Sequence, residues 1–142
     1  KERYHSIKNA LNFCSGAHVM IHDGVRPLVS SDTLSRSHEA LNTHDAVVPY
    51  LEIKDSIRVI NNGSSNAVDR QKYVTVQTPQ CFTLKVVKKA YLGEYQEVFT
   101  DDASVVENSG VDIHLIVGNE ENIKITTQKD LLTAMTILKN IK

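Results

Sequence analysis

Apolar positions at Tyr4, Ile7, Leu11 and Cys14 recur at helical spacing, so residues 2–14 predict an opening helix that Gly16 ends in a left-handed cap. Ala17-His18-Val19-Met20-Ile21 is an almost unbroken apolar run, the pattern of a strand buried on both faces of a mostly parallel sheet, and it stops abruptly at His22-Asp23-Gly24. Ser30-Ser31-Asp32 supplies capping chemistry for a second helix running through Leu34 and Leu41. Ala46-Val47-Val48-Pro49 reads as another buried strand. The order strand, helix, strand predicts a right-handed crossover.

The pattern changes over residues 52–76. Ser56-Ile57-Arg58-Val59-Ile60, a turn at Asn61-Asn62-Gly63 and Ala67-Val68-Asp69-Arg70 read as a hairpin too polar for a central sheet. A two-stranded ribbon is marginal alone, so an arm that docks on a partner is expected. Asn62-Gly63-Ser64 also matches a glycosylation sequon, but Asn-Gly is first a turn signal. Further on, a helix begins near Thr83 and carries Val86, Val87, Ala90 and Tyr91, and a short one opens at Thr100-Asp101-Asp102 and closes at Gly110. Ile113-His114-Leu115-Ile116-Val117 reads as a strand and Ile123-Lys124-Ile125 as a shorter one. Thr127 to Asp130 forms a capping box before a last helix with Leu131, Met135, Leu138 and Ile141.

A chain of 142 residues with 41% hydrophobic content buries one core, so a single domain spanning 1–142 is expected, with the 52–76 arm inside it. Sixteen Lys and Arg against 17 Asp and Glu leave no global field to gather nucleic acid or anionic membrane, so any anion site is local. Neither a membrane span nor a signal peptide is legible, and a soluble, cytoplasmic protein is expected. Cys14 and Cys81 lie far apart with no C-x-x-C partner, which suits reduced structural thiols. His18 and His22, four apart along a strand, separate their alpha carbons by roughly 13 Å, too far for one metal without other ligands.

Ligands of open α/β sheets sit beyond the carboxyl ends of strands, and Asp23 and Arg26 occupy such an end. Asp23 suits a divalent cation or a ribose hydroxyl, and Arg26, held before Pro27, offers a planar fork for phosphate; the plain alternative is an Asp-Gly turn with a pairing Arg. In Val76-Gln77-Thr78-Pro79-Gln80, Pro79 biases Thr78 towards an extended conformation and leaves its hydroxyl free for a ligand. Thr100-Asp101-Asp102-Ala103-Ser104 is as readily a helix cap as a site. Glu121 stands three positions before Lys124, so a bound cation and an ammonium can face one polyphosphate; the alternative is a solvated salt bridge.

Taken in order, V-M-I-H-D-G-V-R-P at 19–27, K-D-S at 54–56, V-D-R at 68–70, Q-T-P-Q at 77–80, T-D-D-A-S at 100–104 and E-N-I-K-I-T at 121–126 resemble the methylerythritol phosphate cytidylyltransferase family. The resemblance implies a Rossmann-like three-layer α/β/α nucleotidyltransferase fold, incomplete here, with a projecting β-hairpin arm through which two copies form a homodimer. It implies transfer of CMP from CTP to 2-C-methyl-D-erythritol 4-phosphate with release of pyrophosphate and with Mg2+ as cofactor. By position in the motifs, Asp23, Arg26 and Lys124 would be catalytic, and Asp23 and Glu121 would hold the metal. Ser6, Asp23, Gly24 and Lys124 would meet the nucleotide. Thr78 would contact the methylerythritol phosphate, which Ser56 and Arg70 would reach from the neighbouring protomer.

The departures also carry expectations. The family's Gly-rich loop bearing Arg and Lys is not found here, and Lys1 falls just after a glycine pair of the family pattern, so a carboxyl-terminal piece that binds CTP weakly by itself is expected. Glu121, Ser56 and Gly24 replace the commoner Asp, Thr and Ala. A ribitol 5-phosphate cytidylyltransferase, with the same chemistry and a longer acceptor, is the neighbouring alternative; a non-catalytic dimerisation module on the same scaffold is the alternative of another class.

Overall fold

The computed structural model describes residues 2–140. Its elements are α1 (Arg3–Leu11), β1 (His18–Ile21), α2 (Ser31–Ala40), β2 (Ala46–Glu52), β3 (Arg58–Asn61), β4 (Ser64–Ala67), a 3-10 turn (Arg70–Lys72), β5 (Val74–Val76), β6 (Gln80–Thr83), α3 (Leu84–Ala90), α4 (Asp102–Asn108), β7 (His114–Val117) and α5 (Gln128–Asn140). The predicted caps are where the sequence puts them. Ser30 Oγ accepts from Thr33 N, Asp101 and Ser104 close a capping box on α4, and Thr127 and Asp130 bond reciprocally at the start of α5. Helix α1 stops at Leu11, short of the expected reach, and Cys14 lies in the turn that Gly16 completes at φ 109°.

β6 lies between β1 and β2 and runs antiparallel to both, while β7 pairs parallel with the opposite edge of β2. β5 pairs antiparallel with the end of β2. The mostly parallel sheet read from the apolar runs is therefore mixed. β5 and β6 were not legible because they are one interrupted strand: Ala46 and Val47 pair with Phe82 and Cys81, and Tyr50 pairs with Val76. Val48 and Pro49 thus face the four residues Gln77 to Gln80, and these two extra residues bulge from the ladder and break the period-2 pattern. The expected strand Ile123-Lys124-Ile125 does not form either, although Ile125 N–H donates to Val25 O at 2.9 Å.

Side-chain alternation divides the core into two layers. Ala46 and Phe82 join Tyr4, Leu11, Leu84, Val87, Tyr91, Val105 and Val106 on one face, so α1, α3 and α4 cover it. Their neighbours Val47 and Cys81 point the other way, to Leu41 at the end of α2. Helices on both faces make this a three-layer α/β/α arrangement. Phe82 has no exposed surface, and truncating a fully buried Phe costs about 3–5 kcal/mol.

β3 and β4 form a sheet of their own, closed by Asn62 at φ 46° and Gly63 at φ 83°, the two positive values of a type I′ turn. Their eight residues are all exposed. The arm is shorter than the expected 52–76, because Glu52 and Val74–Val76 belong to the central sheet. Among the described residues no helix is long and apolar enough to cross a membrane.

Candidate active site

β1, β2 and β7 point the same way, and β6 runs back from their carboxyl ends. The topology alone therefore brings three loops together: the turn after β1 with Asp23, Gly24 and Arg26, the bulge before β6 with Thr78, and the segment after β7 with Glu121 and Lys124. Asp23 is the centre. Its Oδ2 lies 3.2 Å from Lys124 Nζ and 3.7 Å from Arg26 Nε, and its Oδ1 lies 3.7 Å from Arg3 Nε. One carboxylate among three cations leaves a local surplus of positive charge in a chain whose net charge is −1. Arg26 is mostly buried, and its Nε has no hydrogen-bond partner, so a donor stands unspent beside the carboxylate.

The cations are held from behind. Arg26 Nη1 donates to Asn122 O at 2.8 Å, and Asn122 Nδ2 donates to Thr78 O at 2.8 Å. Gln77 Nε2 donates to Asn119 O at 2.9 Å, and Asn119 Nδ2 reaches Leu28 O at 3.1 Å. Gly118 makes room for this: a Cβ there would collide with Gln77 Oε1 and come within 3.2 Å of Tyr50 O. Arg3 Nη2 donates to the buried Asp102 at 2.5 Å, and Tyr91 Oη donates to the other oxygen of that carboxylate at 2.5 Å. Burial opposes the charge on Arg3, but Asp102 outweighs it and raises the guanidinium's pKa; burial first, then the Asp102 charge, pushes the Tyr91 phenol up. In T-D-D-A-S, then, Asp101 caps α4 and Asp102 anchors Arg3.

Asp23, Arg26, Thr78 and Lys124 thus share one site, with Gly24 in its turn. The Thr78 hydroxyl is not free as expected: its Oγ1 accepts from Asp23 N–H at 3.0 Å and bonds His22 Nδ1 at 2.9 Å. Glu121 is exposed and turned to Asn119 Nδ2 at 3.2 Å; its own backbone N–H and then Asn119 lower its pKa. Among the described residues, no hydrogen bond or ion pair joins Glu121, Ser6, Ser56 or Arg70 to Asp23. Ser6 sits exposed on α1 one turn after Arg3, and Ser56 is exposed at the base of the arm. Arg70 bonds Lys54 O and lines a separate groove of about 1000 Å³ with Tyr50, Lys54, Tyr73 and Glu120. Sequence reasoning missed Arg3, His22, Gln77, Asn119 and Asn122. His22, Gln77 and Asn122 lay inside the H-D-G-V-R-P, Q-T-P-Q and E-N-I-K-I-T stretches already marked, without a role of their own, whereas Arg3 and Asn119 act through contacts across the fold.

No group of three or more His, Cys, Asp or Glu side chains converges for a metal among the described residues. Asp23 offers a single carboxylate amid cations, a donor set that does not hold magnesium alone. It does fit magnesium bound chiefly by phosphates with one carboxylate added.

Sheets of this mixed α/β kind place ligands beyond the strand ends, and a cation cluster there suits an anionic group. The chain belongs to the 2-C-methyl-D-erythritol 4-phosphate cytidylyltransferase family, whose model matches residues 1–140. It is 43% identical over 137 residues to the enzyme of that name from Phocaeicola vulgatus, covering 96% of this chain and 63% of that protein. Among solved structures it is similar to the 4-diphosphocytidyl-2C-methyl-D-erythritol synthase of Anaerococcus prevotii, with TM-score 0.87, 29% identity, and 98% of this chain and 65% of that one covered. It is likewise similar to the Thermus thermophilus 2-C-methyl-D-erythritol 4-phosphate cytidylyltransferase, with TM-score 0.85, 29% identity, and 96% and 69% covered. The chain therefore spans somewhat under two thirds of the length of its curated relatives.

Proposed function

We propose that the protein carrying this chain transfers CMP from CTP to 2-C-methyl-D-erythritol 4-phosphate, releasing pyrophosphate, in isoprenoid biosynthesis. The observation that carries the reading is the set of three cations on Asp23, with the unspent Arg26 Nε. A polyphosphate arriving there gives each cation a new partner without changing the scaffold behind it.

In the proposed step an oxygen of the acceptor phosphate attacks the α-phosphorus in line, a new P–O bond forms, and the bond to the β-phosphate oxygen breaks. Arg26 and Lys124 hold the phosphate oxygens, and Arg3, fixed by Asp102, keeps the Asp23 carboxylate in place. Magnesium, carried on the phosphates and touched by Asp23, would neutralise charge on the departing pyrophosphate. The acceptor phosphate is already ionised at neutral pH, so no general base is required. Ser56, Arg70 and Thr78 are proposed for the acceptor, Ser6 and Gly24 for the nucleoside, and Glu121 as an outer metal neighbour.

We also propose a homodimer through the arm, because β3 and β4 bury none of their residues in one copy, and Val59 and Ile60 stand 41% and 77% exposed. Free Cys14 and Cys81 suit a reducing, cytoplasmic setting. The test is transfer of label from radiolabelled CTP by the full gene product, with methylerythritol phosphate and ribitol 5-phosphate offered side by side. Preference for the former is expected; preference for the latter, or no transfer, overturns the reading.

A further inference from the structure

We propose that His22 is a positioning residue of this site: its ring clasps the Asp23–Arg26 turn to the Thr78 bulge and so fixes the direction of the Asp23 carboxylate. The inference rests on the transfer reading for its effect on rate, but its geometry stands alone. His22 Nε2 lies 2.8 Å from Arg26 O. A carbonyl only accepts, so Nε2 carries a proton, and in the neutral ring Nδ1 is then an acceptor. The Thr78 hydroxyl, 2.9 Å away, donates to Nδ1, and its oxygen accepts the Asp23 backbone N–H at 3.0 Å.

Three bonds therefore run in one direction around the turn: Asp23 N–H to Thr78, Thr78 O–H to His22, and His22 N–H to Arg26 O. The Arg26 N–H closes the turn on Asp23 O at 3.0 Å. This ring of bonds fixes the backbone at both functional residues, Asp23 and Arg26, from two segments 55 residues apart in sequence. Removing the imidazole leaves the Thr78 hydroxyl and the Arg26 carbonyl without their partner, so the turn gains freedom beside the reacting phosphates, where a shift of about 1 Å is worth about 100-fold in rate.

The experiment is steady-state CMP transfer by the full gene product. His22→Ala should lower kcat about 100-fold while KM for both substrates moves less than about 3-fold. His22→Asn, whose amide oxygen can stand where Nδ1 stood, and His22→Gln, whose amide nitrogen can stand where Nε2 stood, should each recover only part of that loss, because each restores one of the two contacts. Adding His22→Ala to Thr78→Val should cost clearly less than His22→Ala costs alone, because the two residues share one bond of the ring. Unchanged kcat in His22→Ala, no rescue by Asn, or fully additive losses would each overturn the proposal. If the unaltered protein transfers no CMP, the function fails, and the clasp is judged separately by imidazole 15N resonances of this chain with the ring neutral. A protonated Nε2 and a bare Nδ1 that shifts in Thr78→Val support it; a protonated Nδ1 refutes it.

Discussion

The Asp23 site and the β3–β4 arm are built on opposite principles. At the site, side chains from five segments are tied to one another by bonds that span 44 to 99 residues of sequence, and Thr78, Asp102 and Asn122 are buried. In the arm, partners lie seven residues apart, as in Arg58 donating to Ser65 Oγ and O at 2.9 Å, and nothing is buried. Long-range bonds make the site hostage to the whole fold, whereas the arm needs only its turn and its ladder. The site can be damaged from far away; the arm is nearly independent of the body.

Substitutions can break that contrast in graded steps. Asp102→Ala leaves the Arg3 guanidinium without its buried partner and should destabilise the body by about 3 kcal/mol, the low end for such a pair because Arg3 is 40% exposed. Denaturant unfolding measures it, with loss of the Arg3–Asp23 contact as the local sign. Gly118→Ala expels the Gln77 amide from its place between Asn119 and Asn122 and should cost about 2 kcal/mol by overpacking and lost hydrogen bonds. Amide exchange should quicken in the segment after β7 and stay unchanged in the arm.

Alkali gives a third step. Burial raises the Cys81 thiol from 9.0 to about 11, so between these values the unfolded chain has released a proton that the folded chain keeps. The Cys81 contribution should be constant below pH 9 and fall with rising pH by about 1.4 kcal/mol per unit until about 11, with Tyr91 adding to the fall above its ordinary value. Thermal melting across this range should lose that slope near pH 9–10 in Cys81→Ala. The smallest effect on folding belongs to the arm. Ile60→Asp, at a residue 77% exposed, should change stability of one copy by less than about 0.5 kcal/mol and, if the proposed dimer forms through the arm, should shift its sedimentation to that of a monomer.

Legibility in the sequence followed the same division. Local signals succeeded: the Asn-Gly turn, the caps at Ser30, Asp101 and Thr127, and the strands ending at Ile21 and Val117 are set by neighbours within a few residues. The place of Asp23 and Arg26 just beyond a strand end was also readable, because the apolar run before them stops abruptly. What failed depended on distant partners. β5 and β6 were hidden because the bulge at Gln77–Gln80 shifts the alternation, and its cause is the register of β2, some 30 residues earlier. Lys124 sits in a segment too brief to join the sheet, since its pairing comes from a loop at Val25 rather than from a strand. Arg3 lay in a helix read only for its apolar stripe, and its meaning depends on Asp102, 99 positions away.

The central claim is that Arg26 and Lys124, beside an Asp23 carboxylate that Arg3 keeps in place, form one receptor for phosphate oxygens. Titrating inorganic pyrophosphate into this chain while following arginine Nε–Hε and lysine Nζ resonances tests it most directly. The account predicts that Arg26 and Lys124 shift together along one saturating curve that Lys124→Ala weakens, with Arg58 of the arm unmoved. Shifts spread over exposed cations of the arm and helices, with Arg26 silent, would contradict it.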